Sequence, residues 1–144
     1  MRLFSTFDVA GSGMSAERLR LDVVANNLAN ARTTRTPEGG PYRRQRVVLA
    51  ERRSKPAFAS FFTKETRPGD GVRAVAILRD DQPPRLQWDP YHPDADEDGY
   101  VRLPNVDVVT EMVDMISATR AYEANATVIQ AAKTMAQAAL EIGR

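Results

Sequence analysis

The residues best suited to chemistry lie in one acidic run, Asp94-Ala95-Asp96-Glu97-Asp98-Gly99-Tyr100-Val101. Its alternating carboxylates match the first half of a calcium-binding EF-hand loop, with Asp94, Asp96 and Asp98 as ligands, Gly99 at the sharp turn and the Tyr100 carbonyl next. The second half does not follow. Asn105 stands where a bidentate glutamate would close the site, and Pro90, Pro93 and Pro104 forbid the flanking helices. The run reads instead as an acidic turn joining two strands, with Gly99 supplying backbone angles that other residues resist.

Other catalytic chemistry lacks its parts. His92 is the single histidine, which excludes a histidine metal set. As a general base it would need a nucleophile, and Ser12, Ser15, Ser54, Ser60 and Ser117 sit in no elbow-like context. Gly39-Gly40 lacks the Lys-Ser/Thr of a P-loop, and no Gly-x-Gly-x-x-Gly opens a helix. Cysteine is absent, so there is no thiol chemistry and no disulfide framework. No cofactor and no catalytic or metal-binding residue is expected.

Charge argues against nucleic acid and anionic lipid as partners, since 20 basic and 19 acidic residues leave a net +1. Arg32, Arg35, Arg43, Arg44, Arg46, Arg52, Arg53 and Lys55 do crowd one third of the chain, with Tyr42 and Phe58 available to stack on bases. No recognition-helix motif accompanies them. The span from Asp80 to Glu123 is mainly acidic, so two subunits are able to stack with opposite charges facing.

These residues must be carried by a frame, and its pattern is strongest at the two ends. Leu3, Phe7, Ala10, Met14, Leu21, Val24, Leu28 and Ala31 step by fours and threes, with Glu17 as the charged interruption. Val108, Met112, Met115, Tyr122, Ala126, Ile129, Ala136 and Leu140 do the same near the other end, with Thr119 and Lys133 filling the stripe. The spacing predicts an α+β protein: long N- and C-terminal helices packing as a coiled coil, with a small β-rich insert between them. The divisions fall at 1–32 for the N-terminal arm, 33–104 for the insert and 105–144 for the C-terminal arm. Gly11-Ser12-Gly13 is a soft point in the first helix, where Ser12 or Ser15 is a candidate cap, and Asn105 or Asp107 is a candidate N-cap for the last.

Inside the insert, Arg43 to Ala50, Gly71 to Leu78, Leu86 to Trp88 and Tyr100 to Leu103 read as short strands. Ser54 to Asp70 has no period and is expected to be a mobile loop. The first residues lack the apolar run of a secretory signal, and no stretch of about eighteen apolar residues is present to span a bilayer. The chain is thus expected either to stay in the cytoplasm or to leave without a cleaved signal.

Two segments together carry a resemblance. Ala25-Asn26-Asn27-Leu28-Ala29-Asn30-Ala31, following Gly13-Met14-Ser15, resembles the signature shared by bacterial flagellar rod and hook proteins. Four further segments resemble the basal-body rod members of that family, in order and over nearly the full length. They are Glu38 to Arg44, His92 to Val101, Glu111 to Ile116 and Arg120 to Asn125.

The resemblance implies a non-enzymatic subunit of the proximal rod, the driveshaft that carries torque across the periplasm and encloses the export channel. It also implies passage through the flagellar type III export apparatus without a cleaved signal. Implied neighbours are further copies, the other proximal-rod proteins, the rod base protein and the distal-rod protein, with no nucleic acid and no membrane insertion. In that setting Met14, Leu21, Val24 and Leu28 are expected to contact Met112, Met115, Tyr122 and Ile129 between helices, with Asn26, Asn27 and Asn30 as polar specificity points at the assembly interface. The alternative is a cytoplasmic adaptor or export-linked binding module whose terminal helices pair within one chain.

Overall fold

The computed structural model describes residues 3–52 and 70–142. The loop expected over Ser54 to Asp70, with Phe58, falls outside them except for Asp70. In chain order the elements are α1 (Leu3–Ala29), β1 (Gln45–Glu51), β2 (Val72–Arg79), β3 (Arg85–Trp88), β4 (Tyr100–Leu103) and α2 (Val108–Ile142). The fold is α+β as the spacing predicts. Two long helices pair with each other, and two separate antiparallel hairpins, β1–β2 and β3–β4, lie between them in sequence.

Helix α1 has 27 residues and runs unbroken through Gly11-Ser12-Gly13. Ser12 is not a cap. Its hydroxyl donates to the Val9 carbonyl at 2.7 Å and accepts the Val72 N–H at 3.1 Å, so it is the point where β2 docks on the helix. The approach is close because residue 71 is glycine: its φ is +108, and a Cβ there would lie 2.2 Å from the Ser12 hydroxyl. Ser15 likewise bonds back to the Gly11 carbonyl at 3.0 Å instead of capping. At the other end Asn30 closes the last turn, donating to the Asn26 carbonyl at 3.0 Å and to the Asn26 side chain at 2.8 Å.

Helix α2 spans 35 residues, a rod of roughly 52 Å against about 40 Å for α1. Of its two candidate caps Asp107 is the one used: its carboxylate accepts the Val109 N–H at 3.1 Å and the Thr110 hydroxyl at 3.0 Å. Asn105 turns instead to the insert, accepting the Arg44 N–H at 2.9 Å.

The helices run antiparallel. Gly13 faces Asn125, Arg20 bonds Asp114 and Asn27 bonds Glu111, so partner numbers fall along α2 as they rise along α1. By that register the start of α1 lies near Met135, and the last turns of α2 extend past it. The seam itself is one residue away from part of each apolar stripe. On α2 the column Met115, Tyr122, Ile129 is shared with the expected stripe, but the buried residues beside it are Glu111, Ala118 and Ala132, not Met112, Thr119 and Lys133. On α1 Gly13, Arg20 and Asn27 face α2, each one position before Met14, Leu21 and Leu28 of the expected stripe, which are half-buried. Apolar periodicity could not find a column made of glycine, arginine and asparagine.

Strand β1 follows ordinary alternation, whereas β2 and β3 are exposed along most of their length. Gln45, Val47 and Leu49 turn toward α1, while Arg46 and Val48 face outward, and a bulge falls between Val48 and Leu49. In β3–β4 Val101 is buried and the Trp88–Tyr100 and Leu86–Arg102 pairs lie on the other, open face. No described helix is long and apolar enough to cross a membrane.

Candidate functional site

Where α1 ends, the chain reverses through residues 33–42 and returns as β1. The reversal is closed by Tyr42 N–H to Thr33 O at 3.0 Å and Thr36 N–H to Gly40 O at 3.0 Å, with Gly39 and Gly40 at positive φ. It delivers Tyr42, Arg44 and Gln45 to the junction of α1 and α2. Around them lies the densest polar network of the described residues.

Asn27 is its centre and is 1 % exposed. Its amide nitrogen donates to the Gln45 carbonyl at 2.9 Å and to Glu111 Oε2 at 3.0 Å. Its amide oxygen accepts the Gln45 N–H at 2.9 Å and the Tyr42 hydroxyl at 2.9 Å. The side chain therefore pairs with both backbone groups of Gln45, as a neighbouring strand would, and starts β1 on the helix. Aspartate would set a second negative charge against Glu111, and leucine would leave four groups without this partner.

Glu111 is fully buried within the first turn of α2, and its Oε1 accepts Arg44 Nε at 2.6 Å. Arg44 also reaches Asp114 at 3.4 Å, and Asp114 accepts Arg20 at 3.1 Å. Arg20 in turn lies 3.7 Å from Glu17 on its own helix. Two arginines and three carboxylates thus alternate across the seam, and each buried charge has an opposite neighbour. Burial, followed by the Glu111 carboxylate, pushes the Tyr42 hydroxyl above its usual pKa, which keeps it a donor to Asn27. An open cleft of about 290 Å³ beside the network is lined by Val23, Val24, Val47 and Leu49 as well as its charged members.

The acidic run has a different use. Asp94 accepts the Thr34 hydroxyl at 2.7 Å and pairs with Arg35, and the Thr34 bond, ahead of the Arg35 charge, holds its carboxyl below the usual range. Asp96 pairs with Arg102 at 3.4 Å. The Asp96 N–H bonds the Tyr100 carbonyl at 2.8 Å and the Gly99 N–H bonds the Asp96 carbonyl at 2.8 Å, which makes the run the expected turn between strands. Gly99 has φ +78 and is buried against Trp88 and Pro90. His92 accepts the Asp94 N–H through Nδ1 at 3.1 Å and so helps shape the same turn.

The residues expected at an assembly interface divide by position. Val24 and Asn27 are buried, and Met14, Leu21, Leu28, Asn30, Met115, Tyr122 and Ile129 are half-buried. Asn26 and Met112 are exposed. Asn26 and Asn30 serve the helix end, whereas Asn27 joins three elements. Sequence reading passed over Glu111, Arg44 and Arg20 as functional positions. No local signal marks them: each is one charged residue among many, and Arg44 meets Glu111 only across 67 positions.

Comparisons with known proteins bear on both helices. The family described as flagella basal body rod protein matches residues 7–35, and the family described as flagellar basal body rod FlgEFG protein C-terminal matches residues 97–142. At full length the chain is 52 % identical over 149 residues to flagellar basal-body rod protein FlgC of Borreliella burgdorferi, covering 99 % of this chain and 98 % of that protein. It is 43 % identical to FlgC of Bacillus subtilis and 40 % identical to FlgC of Salmonella typhimurium, with all of each chain covered.

Proposed function

The chain belongs to the FlgC family of flagellar basal-body rod proteins, and from that premise we propose how its fold serves the rod. It is a structural subunit of the proximal rod in the basal body of the bacterial flagellum, and it associates with other rod components. Its work is mechanical and not catalytic: the subunits polymerise through their terminal helices into the driveshaft that transmits torque and encloses the export channel. The rod base protein, the distal-rod protein and the other proximal-rod proteins are its neighbours, and it reaches them through the flagellar type III export apparatus.

The observation that carries this reading is that the two family matches include α1 from residue 7 and all of α2, the two elements that pair. The pairing leaves a second apolar face open. Val109, Met112, Val113 and Ile116 recur at helical spacing on α2, and all four are exposed, Val109 at 70 %. A strip of that kind is costly in water and is covered when helices of adjacent subunits stack. Within the expected interface set, Val24, Asn27, Met115, Tyr122 and Ile129 then hold the pair together inside each subunit. Met14, Leu21, Leu28 and Met112 on its flanks, with Asn26 and Asn30 at the helix end, meet the next subunit. The three-part division at 1–32, 33–104 and 105–144 follows this split between rod core and insert.

An adaptor whose helices pair within one chain is not favoured. Internal pairing is present, but the relatives are rod proteins along the whole chain, so the pair is the subunit's own fold. The test replaces the native rod gene with Met112→Asp and Leu28→Asp variants in a motile host. Both proteins are expected to keep their hairpins folded and to abolish rod assembly and swimming. Normal motility of both variants would overturn the reading of this interface.

A further inference from the structure

The two hairpins present complementary surfaces that the chain does not use on itself. The outer face of β1–β2 pairs Arg46 with Leu78, Val48 with Ala76 and Ala50 with Arg73. Arg46, Val48, Arg73 and Leu78 are exposed, and neither arginine has an ion-pair partner among the described residues. This face is therefore basic with an aliphatic centre.

The outer face of β3–β4 has the opposite character. Trp88 stands across from Tyr100 and is 66 % exposed, Leu86 lies beside them, and Tyr91 is 96 % exposed on the following loop. Asp96, Glu97 and Asp98 form the exposed turn next to this cluster. Arg102 on the same face is answered by Asp96, while Glu97 and Asp98 have no ion-pair partner among the described residues. Among the described residues the strands of the two hairpins do not pack on each other within one chain.

We propose that the outer face of β1–β2 in one copy receives the aromatic face and acidic turn of β3–β4 in a second copy. The arginines find both carboxylates and aromatic rings, and the tryptophan and tyrosines leave water against Val48 and Leu78. The contact is head-to-tail, so a joined pair still offers one free surface of each kind and the contact repeats from copy to copy. It rests on the reading of the chain as an assembling subunit and adds an outer contact to that of the helices.

Two full-length charge variants test it, Arg46→Glu/Arg73→Glu and Glu97→Lys/Asp98→Lys, with circular dichroism confirming that both fold. In sedimentation velocity the wild type is expected to self-associate more strongly at low salt. Each variant alone should associate about tenfold more weakly or less, and an equal mixture should recover association, because each supplies the charge the other lacks. Trp88 is the only tryptophan, so its emission should shift to the blue as the wild type associates.

A wild type that stays monomeric at every salt concentration would overturn the proposal. So would association that persists in both variants, or that leaves the Trp88 emission unmoved. In those cases the rod reading still stands or falls on the motility of the helix variants, which leave both hairpin faces intact.

Discussion

The two ends of the helical pair are held by different physics. Near the insert, Asn27, Glu111, Arg44, Asp114 and Arg20 make directional bonds that permit one register and one rotation of α1 against α2. Toward the other end the contact is made by Ala10, Gly13, Asn125 and Ala132, small side chains that let the helices approach without specifying how far they slide. Polar groups there are satisfied locally, as when the Asn125 amide donates to the Ala121 carbonyl at 2.9 Å. One end therefore locks the insert to the helices, and the other holds the pair by the packing of small side chains.

The largest effect should come from breaking the lock. Glu111→Ala removes the buried carboxylate that Arg44 and Asn27 share, leaving Arg44 only its longer contact to Asp114, and is expected to cost roughly 3–5 kcal/mol in urea unfolding. A loss below about 1 kcal/mol would mean that the network is incidental and that packing alone holds this end. Asn27→Leu comes next, at about 2–3 kcal/mol, because it strands the N–H and carbonyl of Gln45 as well as the Tyr42 hydroxyl. Hydrogen exchange should then show the start of β1 opening while the far half of the helical pair stays protected.

The smooth end should tolerate more. A Cβ at Gly13 would lie 2.9 Å from the Asn125 amide nitrogen, which is the end of a movable side chain. Gly13→Ala is expected to change stability by less than about 1 kcal/mol, since the gain in helix propensity offsets the displacement. A change as large as that of Asn27→Leu would show that Gly13 fixes the register after all.

The smallest effect concerns acid. The Thr110 hydroxyl first, then the Val109 N–H, hold the Asp107 carboxyl below its usual pKa. A depressed folded-state pKa contributes stability that is complete above the unfolded value and is lost as pH falls through the folded one. The melting temperature should be flat from neutral pH to about pH 5 and should decline below about pH 4. Asp107→Ala should reduce that decline slightly and shift exchange only in the first turn of α2.

Much of the frame was legible in the residues. Long apolar spacing at both ends, unbroken by proline, determined two helices, and alternation around Gly71, Pro84 and Gly99 determined four short strands within a residue or two of where they lie. Asp107 as a cap and the acidic turn at Gly99 follow from local chemistry, which a sequence displays directly.

Tertiary structure alone decided which column of each helix faces the other. Apolar periodicity marks Met14, Leu21, Leu28 and Met112, and it gives no sign that Gly13, Arg20, Asn27 and Glu111, one position before each, face the other helix, because a glycine and mutually satisfied polar groups leave no apolar period. Arg44 joins that network from the insert, 67 positions before its partner Glu111. A charged side chain separated that far from its counter-ion looks solvated in any local window, and only the folded chain brings the two together.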